Sequence, residues 1–97
     1  MRLIIEAAAR ADIDRTVYWY NEQDSGLGTL FLDALSSRME RIVMNPRIFL
    51  LRRGGVRGAS VRKFPYTIYF KHTDDTVQVI AVLHHRRDVG VLKDRSG

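Results

Sequence analysis

The feature that most constrains this chain is a change of hydrophobic period at Asn45-Pro46. Before that point apolar side chains recur at helical spacing; beyond it they alternate or run continuously, as strand residues do. Three alanines, Ala7 to Ala9, open a helix-forming stretch in which Ala9, Ile13, Val17 and Tyr20 share one face. Asp12, Asp14, Arg15 and Glu22 are expected mostly off that stripe. Residues 21–28 carry Asn, Asp, Ser and Gly, the chemistry of a turn. A second stripe follows through Leu27, Leu30, Phe31, Ala34, Leu35 and Ile42, flanked by Met39 and Val43. Ser25 is the expected N-cap of this helix, with Asp33, Arg38, Glu40 and Arg41 on its opposite side. Asn45-Pro46 ends it, because proline disfavours the helical conformation of the residue before it. Two helices joined by a short turn are expected to pack as an antiparallel hairpin.

The remaining elements read as strands. Residues 2–6 make a short one, with Leu3, Ile4 and Ile5 supplying suitable bulk. Residues 59–64, 66–72 and 76–84 make three more, separated by Pro65, which has no N–H for a ladder, and by the Asp74-Asp75 turn. Tyr66, Ile68 and Phe70 share one face of their strand, and residues 77–83 are apolar at almost every position, as in a central strand covered on both faces. The order is β-α-α-β-β-β. It predicts an α+β domain spanning residues 1–97, with a helical hairpin on one face of an antiparallel-rich sheet.

The 97 residues include no cysteine, which excludes a disulfide scaffold, a thiolate metal site and a cysteine nucleophile, and makes a reducing cytoplasm the expected location. No apolar run is long enough for a secretory core or a bilayer span, so no membrane partner is expected. Charge is uneven. Residues 1–51 hold six basic and seven acidic side chains, whereas residues 52–97 hold ten basic and four acidic ones. That asymmetry predicts a basic face built by the later elements, suited to a phosphate backbone or an acidic protein partner, or serving solubility alone.

The densest polar cluster, His84-His85-Arg86-Arg87-Asp88, lies where the longest apolar run ends. Histidine exchanges protons near neutral pH, and arginine presents a donor fork matched to phosphate. Arg62 and Lys63 are expected on a neighbouring strand, with Arg52, Arg53 and Arg57 arriving from the preceding loop. Together these residues read as a site for a polyanion or for RNA cleavage, in which a base activates the ribose hydroxyl and arginines stabilise charge on phosphorus. A strand-end His-Arg cluster is, however, more often a solvated edge or a salt-bridge network than an active site. Three histidines, two of them adjacent and pointing apart on a strand, predict no closed metal site, and no phosphate-binding glycine loop or other cofactor motif appears.

Taken in order, Ala7 to Ala9 with Asp12, Asn45-Pro46, Phe64-Pro65-Tyr66-x-Ile68-Tyr69-Phe70 and Val79-x-Ala81-Val82-x-His84-x-Arg86-Arg87-Asp88 resemble the RelE/ParE superfamily of toxins from bacterial toxin–antitoxin operons. The resemblance runs from Leu3 to Asp88. It implies a helical hairpin on a curved antiparallel sheet, and a cognate antitoxin whose acidic or amphipathic C-terminal segment wraps the toxin. It also implies one of two poisons: a RelE-like nuclease that cuts messenger RNA on the ribosome, or a ParE-like inhibitor of DNA gyrase. By position, Arg62, His85 and Arg87 match the catalytic groups of the nucleases. Arg52, Arg53, Arg57, Lys63, His84 and Arg86 fall to target or antitoxin binding. All four tyrosines lie at or before residue 69, so the C-terminal tyrosine of many RNA-cleaving members is missing. The Phe64-Pro65-Tyr66 bend and the His84-x-Arg86-Arg87-Asp88 ending resemble the ParE side more closely.

Overall fold

Strand β1 (Arg2–Ile5) leads almost at once into helix α1 (Ala7–Gln23), which turns through three residues into helix α2 (Leu27–Met44). After a 3-10 turn at Pro46–Ile48 come strands β2 (Leu50–Leu51), β3 (Arg57–Ser60), β4 (Tyr66–His72) and β5 (Thr76–His84). The computed structural model describes residues 1–86 together with Val91, Leu92 and Arg95. The five strands form one sheet in the order β1-β5-β4-β3-β2. It is antiparallel from β2 to β5, while β1 lies parallel to β5 with Leu3 opposite Val77, so the sheet as a whole is mixed.

The helical hairpin covers one face. Ala9 and Ile13 of α1 and Phe31, Leu35, Met39 and Ile42 of α2 pack on Ala59, Val61, Ile68, Phe70, Val77, Val79 and Val82. The apolar run of β5 is covered on both sides, as its composition predicts. Ile80 has no partner in the register between Tyr69–Ala81 and Phe70–Val79, which makes it the extra residue of a β-bulge. From there Ile80, Ala81 and Leu83 join a second cluster with Val56, Tyr69, Val91 and Leu92.

Three local expectations are corrected. Ser25 does not cap α2; Gly26 takes the N-cap position at φ 91, where a Cβ would be strained. The side chain of Asn21, one helix away, instead accepts the N–H of Gly28 at 2.8 Å. Asp12 is not off the buried stripe but 3% exposed beside Ile13. The strand expected over residues 59–64 is shifted to Arg57–Ser60, because residues 61–65 form a turn closed by Val61 N–H to the Tyr66 carbonyl at 2.9 Å. Lys63 sits there at φ 70, in the left-handed region. Strand β2 is an addition rather than a correction, since two residues carry no periodicity.

Gly28 marks the close approach of the two helices. A Cβ there would lie 2.7 Å from the backbone carbonyl oxygen of Val17 and 2.7 Å from Asn21 Nδ2. The amide could swing away, but the carbonyl belongs to α1 and can move only with the helix. Gly28→Ala is therefore expected to destabilise the fold by about 1–3 kcal/mol, read as a lower urea midpoint at unchanged slope.

Candidate functional site

The basic residues of the second half do not form one face. Arg52 turns back onto its own domain, its guanidinium 5.5 Å from the ring centre of Tyr69 on the face away from the helices. Gly58 makes that possible, since a Cβ there would lie 3.0 Å from Arg52 Nε. Arg53 is exposed in the short turn Arg53–Gly55. Arg57 donates to the carbonyls of Phe49 at 2.8 Å and Arg47 at 3.4 Å, and to His72 Nε2 at 3.3 Å. Its donors thus tie the segment before β2 to the sheet. With Nε2 accepting, the His72 tautomer assigned by these contacts carries its proton on Nδ1, 3.2 Å from the Thr73 carbonyl.

Arg62 and Lys63, expected on a strand, occupy the turn between β3 and β4. They line a hollow of about 430 Å³ whose other wall is the later half of α2: Ala34, Ser37, Arg38 and Arg41. Among the described residues none of these four cations has a carboxylate partner. Arg38 and Arg41 were not singled out from the sequence. Their three-residue spacing puts them on one helix face, which is a usable signal, but nothing in the sequence says that the β3–β4 turn stands opposite.

The end of β5 meets a different surface. His84 lines a cleft of about 240 Å³ with Asp12, Arg15, Thr16, Trp19, Tyr66, Val82 and Leu83. Its ring sits edge-on to Tyr66 at 5.2 Å, and its Nδ1 accepts the Arg86 backbone N–H at 3.1 Å. That contact places the proton of a neutral ring on Nε2. His85 is exposed, and its backbone N–H donates to the Pro65 carbonyl at 2.8 Å, tying the strand end to the turn that bears Arg62 and Lys63. Arg87 and Asp88 lie outside the described residues.

Asp12 is the anchor of the cleft. Strand β1 has ended at Ile5, and its last rung is Glu6 N–H to the Val79 carbonyl at 2.9 Å. Farther along β5 the Val82 N–H donates to Asp12 Oδ2 at 3.0 Å instead. Arg15 donates to Oδ1 at 2.6 Å, and Arg95 spans both carboxylate oxygens. Nearby, Tyr20 stacks among Trp19, Phe31, Phe64 and Tyr66, and burial together with the Tyr66 phenol raises its pKa above the ordinary tyrosine value. Among the described residues no cluster of three or more His, Asp or Glu could hold a metal ion.

The family described as "ParE toxin of type II toxin-antitoxin system, parDE" matches residues 3–89 of the sequence. The chain belongs to this ParE toxin family. The ParE side of the resemblance is therefore the one its sequence supports over nearly its whole length. Among curated proteins none matches significantly. A solved structure described as the chromosomal ParDE TA system from P. aeruginosa is similar, with a TM-score of 0.76 at 16% identity, covering 87% of this chain and 95% of that one. At that identity the likeness concerns the fold: two helices on a five-stranded sheet. On this ParE toxin the two concavities described above are the four-cation hollow and the Asp12-centred cleft.

Proposed function

We propose that this toxin acts by binding DNA gyrase, without cleaving RNA, and that a cognate antitoxin neutralises it by direct contact in the cytoplasm. The observation that carries the reading is that Arg52, Arg57 and His84 do not share one site. Cleaving a phosphodiester needs an acid, a base and cations converging on one phosphorus. Here Arg52 lies over Tyr69, Arg57 is taken up by backbone carbonyls and His72, and His84 stands in the Asp12 cleft. The sequence also lacks any tyrosine after residue 69. No helix among the described residues is long and apolar enough to cross a membrane.

Exposed apolar side chains offer an antitoxin its anchors: Trp19 and Leu30 on the helices, and Ile48, Leu50 and Leu51 around β2. An amphipathic segment that orders on binding gains most of its affinity from such anchors.

One contact favours the other poison. The His85–Pro65 hydrogen bond brings the strand end beside the turn holding Arg62, which is the arrangement a nuclease would use. Induced expression separates the two. The gyrase reading expects filamentation, an SOS response and intact transcripts, with inhibition of supercoiling by the purified toxin and relief by the antitoxin. Arg62→Ala with His85→Ala should leave that toxicity in place. Rapid transcript cleavage abolished by the double variant would refute the gyrase reading.

A further inference from the structure

We propose that the hollow between α2 and the β3–β4 turn binds the phosphodiester backbone of a nucleic acid. The first observation is its charge. Arg38, Arg41, Arg62 and Lys63 converge on a single concavity of about 430 Å³, and no carboxylate lines it. Two elements far apart in the chain contribute two cations each, so the concentration of charge arises only on folding. None of these four makes a salt bridge among the described residues. Such a concavity attracts an anion strongly, since like charges held together raise the local potential.

The second observation is backbone strain. Lys63 holds φ 70, a conformation that glycine adopts freely and a lysine does not. The turn bonds around it, Phe64 N–H to Val61 carbonyl and Tyr66 N–H to Phe64 carbonyl, keep it there. A side chain is kept where none would be more comfortable, and that side chain is a cation facing three arginines.

The third observation selects the ligand. Apart from Ala34, the lining is one serine and four cations, without an apolar pocket. The exposed apolar residues Trp19, Leu30, Ile48, Leu50 and Leu51 all lie outside it. A peptide that orders on binding needs apolar anchors to offset its lost entropy. A phosphate backbone needs only charge and donors, and arginine forks match phosphate oxygens. No aromatic ring lines the hollow, so bases are not stacked there and recognition is of the backbone rather than of sequence.

The test is fluorescence anisotropy of the purified full chain with a labelled DNA duplex and with an RNA of the same sequence, titrated at several salt concentrations. No gyrase is present, so this inference and the proposed target stand or fall separately. Each phosphate neutralised contributes roughly −0.9 to the slope of log K against log salt for duplex DNA. Arg38→Gln with Arg41→Gln should flatten that slope by about 2 and weaken binding by about tenfold or more. Lys63→Gly should weaken binding while leaving the fold at least as stable, because it relieves the strained residue; that variant separates lost contact from lost structure. Arg2→Gln with Arg10→Gln removes the same charge outside the hollow. Similar affinity for both nucleic acids is the expected result, and a marked preference identifies which source the site uses. An equal loss in the Arg2/Arg10 control would overturn the inference, because net charge alone would then explain binding. So would the absence of nucleic-acid binding at low salt, with an acidic polyglutamate peptide bound instead in a manner lost in the Arg38/Arg41 variant.

Discussion

Replacing Asp12 by alanine is expected to cost this domain about 3–5 kcal/mol, because the substitution removes one half of a buried ion pair and strands its partners. The carboxylate has only 2% of its side chain exposed, while Arg95 opposite it retains 20%. Alanine would leave the Val82 N–H without its acceptor at the point where β5 has outrun β1, and would leave Arg95 without a counter-charge. An unsatisfied buried donor alone is worth about 1–3 kcal/mol. Arg15 contributes little to the total, since its side chain is 60% exposed and the pair is solvent-screened. Asp12→Asn keeps the shape and one acceptor, and should cost clearly less than alanine. Chemical denaturation of both variants, with Arg95→Ala and the double variant completing a cycle, measures the coupling; a value near zero would show that the pair carries none of the stability. Because Asp12 also lines the cleft with His84, Tyr66 and Trp19, the alanine variant should change that surface as well as the melting point.

Phe31→Ala is expected to destabilise by a similar amount, about 3–5 kcal/mol, through lost burial and the cavity left behind. Phe31 is fully buried, and its ring meets Tyr20 at 5.7 Å, Phe64 at 5.3 Å and Tyr66 at 5.3 Å. These contacts join α2 to α1, to the β3–β4 turn and to β4, so one side chain sets where three elements stand. For a domain of this size the loss corresponds to a melting temperature lower by more than about 12 °C. Phe31→Leu retains most of the volume and should recover much of the difference. A functional consequence follows from the same geometry. Phe64 belongs to the turn that presents Arg62 and Lys63, and it rests on Phe31; loosening that contact should weaken ligand binding in the α2 hollow in the surviving folded fraction.

The stripes of Ala9 and Ile13, and of Phe31, Leu35 and Ile42, announced two helices with buried faces, and the structure places those residues in the core. The apolar run of β5, interrupted only by Gln78, announced a strand covered twice, and Val91 and Leu92 are part of the second cover. Less legible were features made by contact between distant segments. Asp12 reads as a surface carboxylate by type, but it is drawn in by a β5 amide 70 residues away. Arg57 reads as a ligand for an anion, but three internal acceptors, at Arg47, Phe49 and His72, use its donors. The single basic face inferred from the charge asymmetry is instead divided, and its strongest concentration borrows Arg38 and Arg41 from the nearly neutral half of the chain.

By itself the sequence determined the order and type of the main elements, the membership of the ParE toxin family and the lack of a late tyrosine. Those follow from periodicity and residue identity, which are local properties of the chain. Only the tertiary structure decided which cations share a concavity and which carboxylate is buried. Charge adds along a chain without regard to position, whereas an electrostatic field depends on distances that exist only once α2 has packed across β3 and α1 against β5.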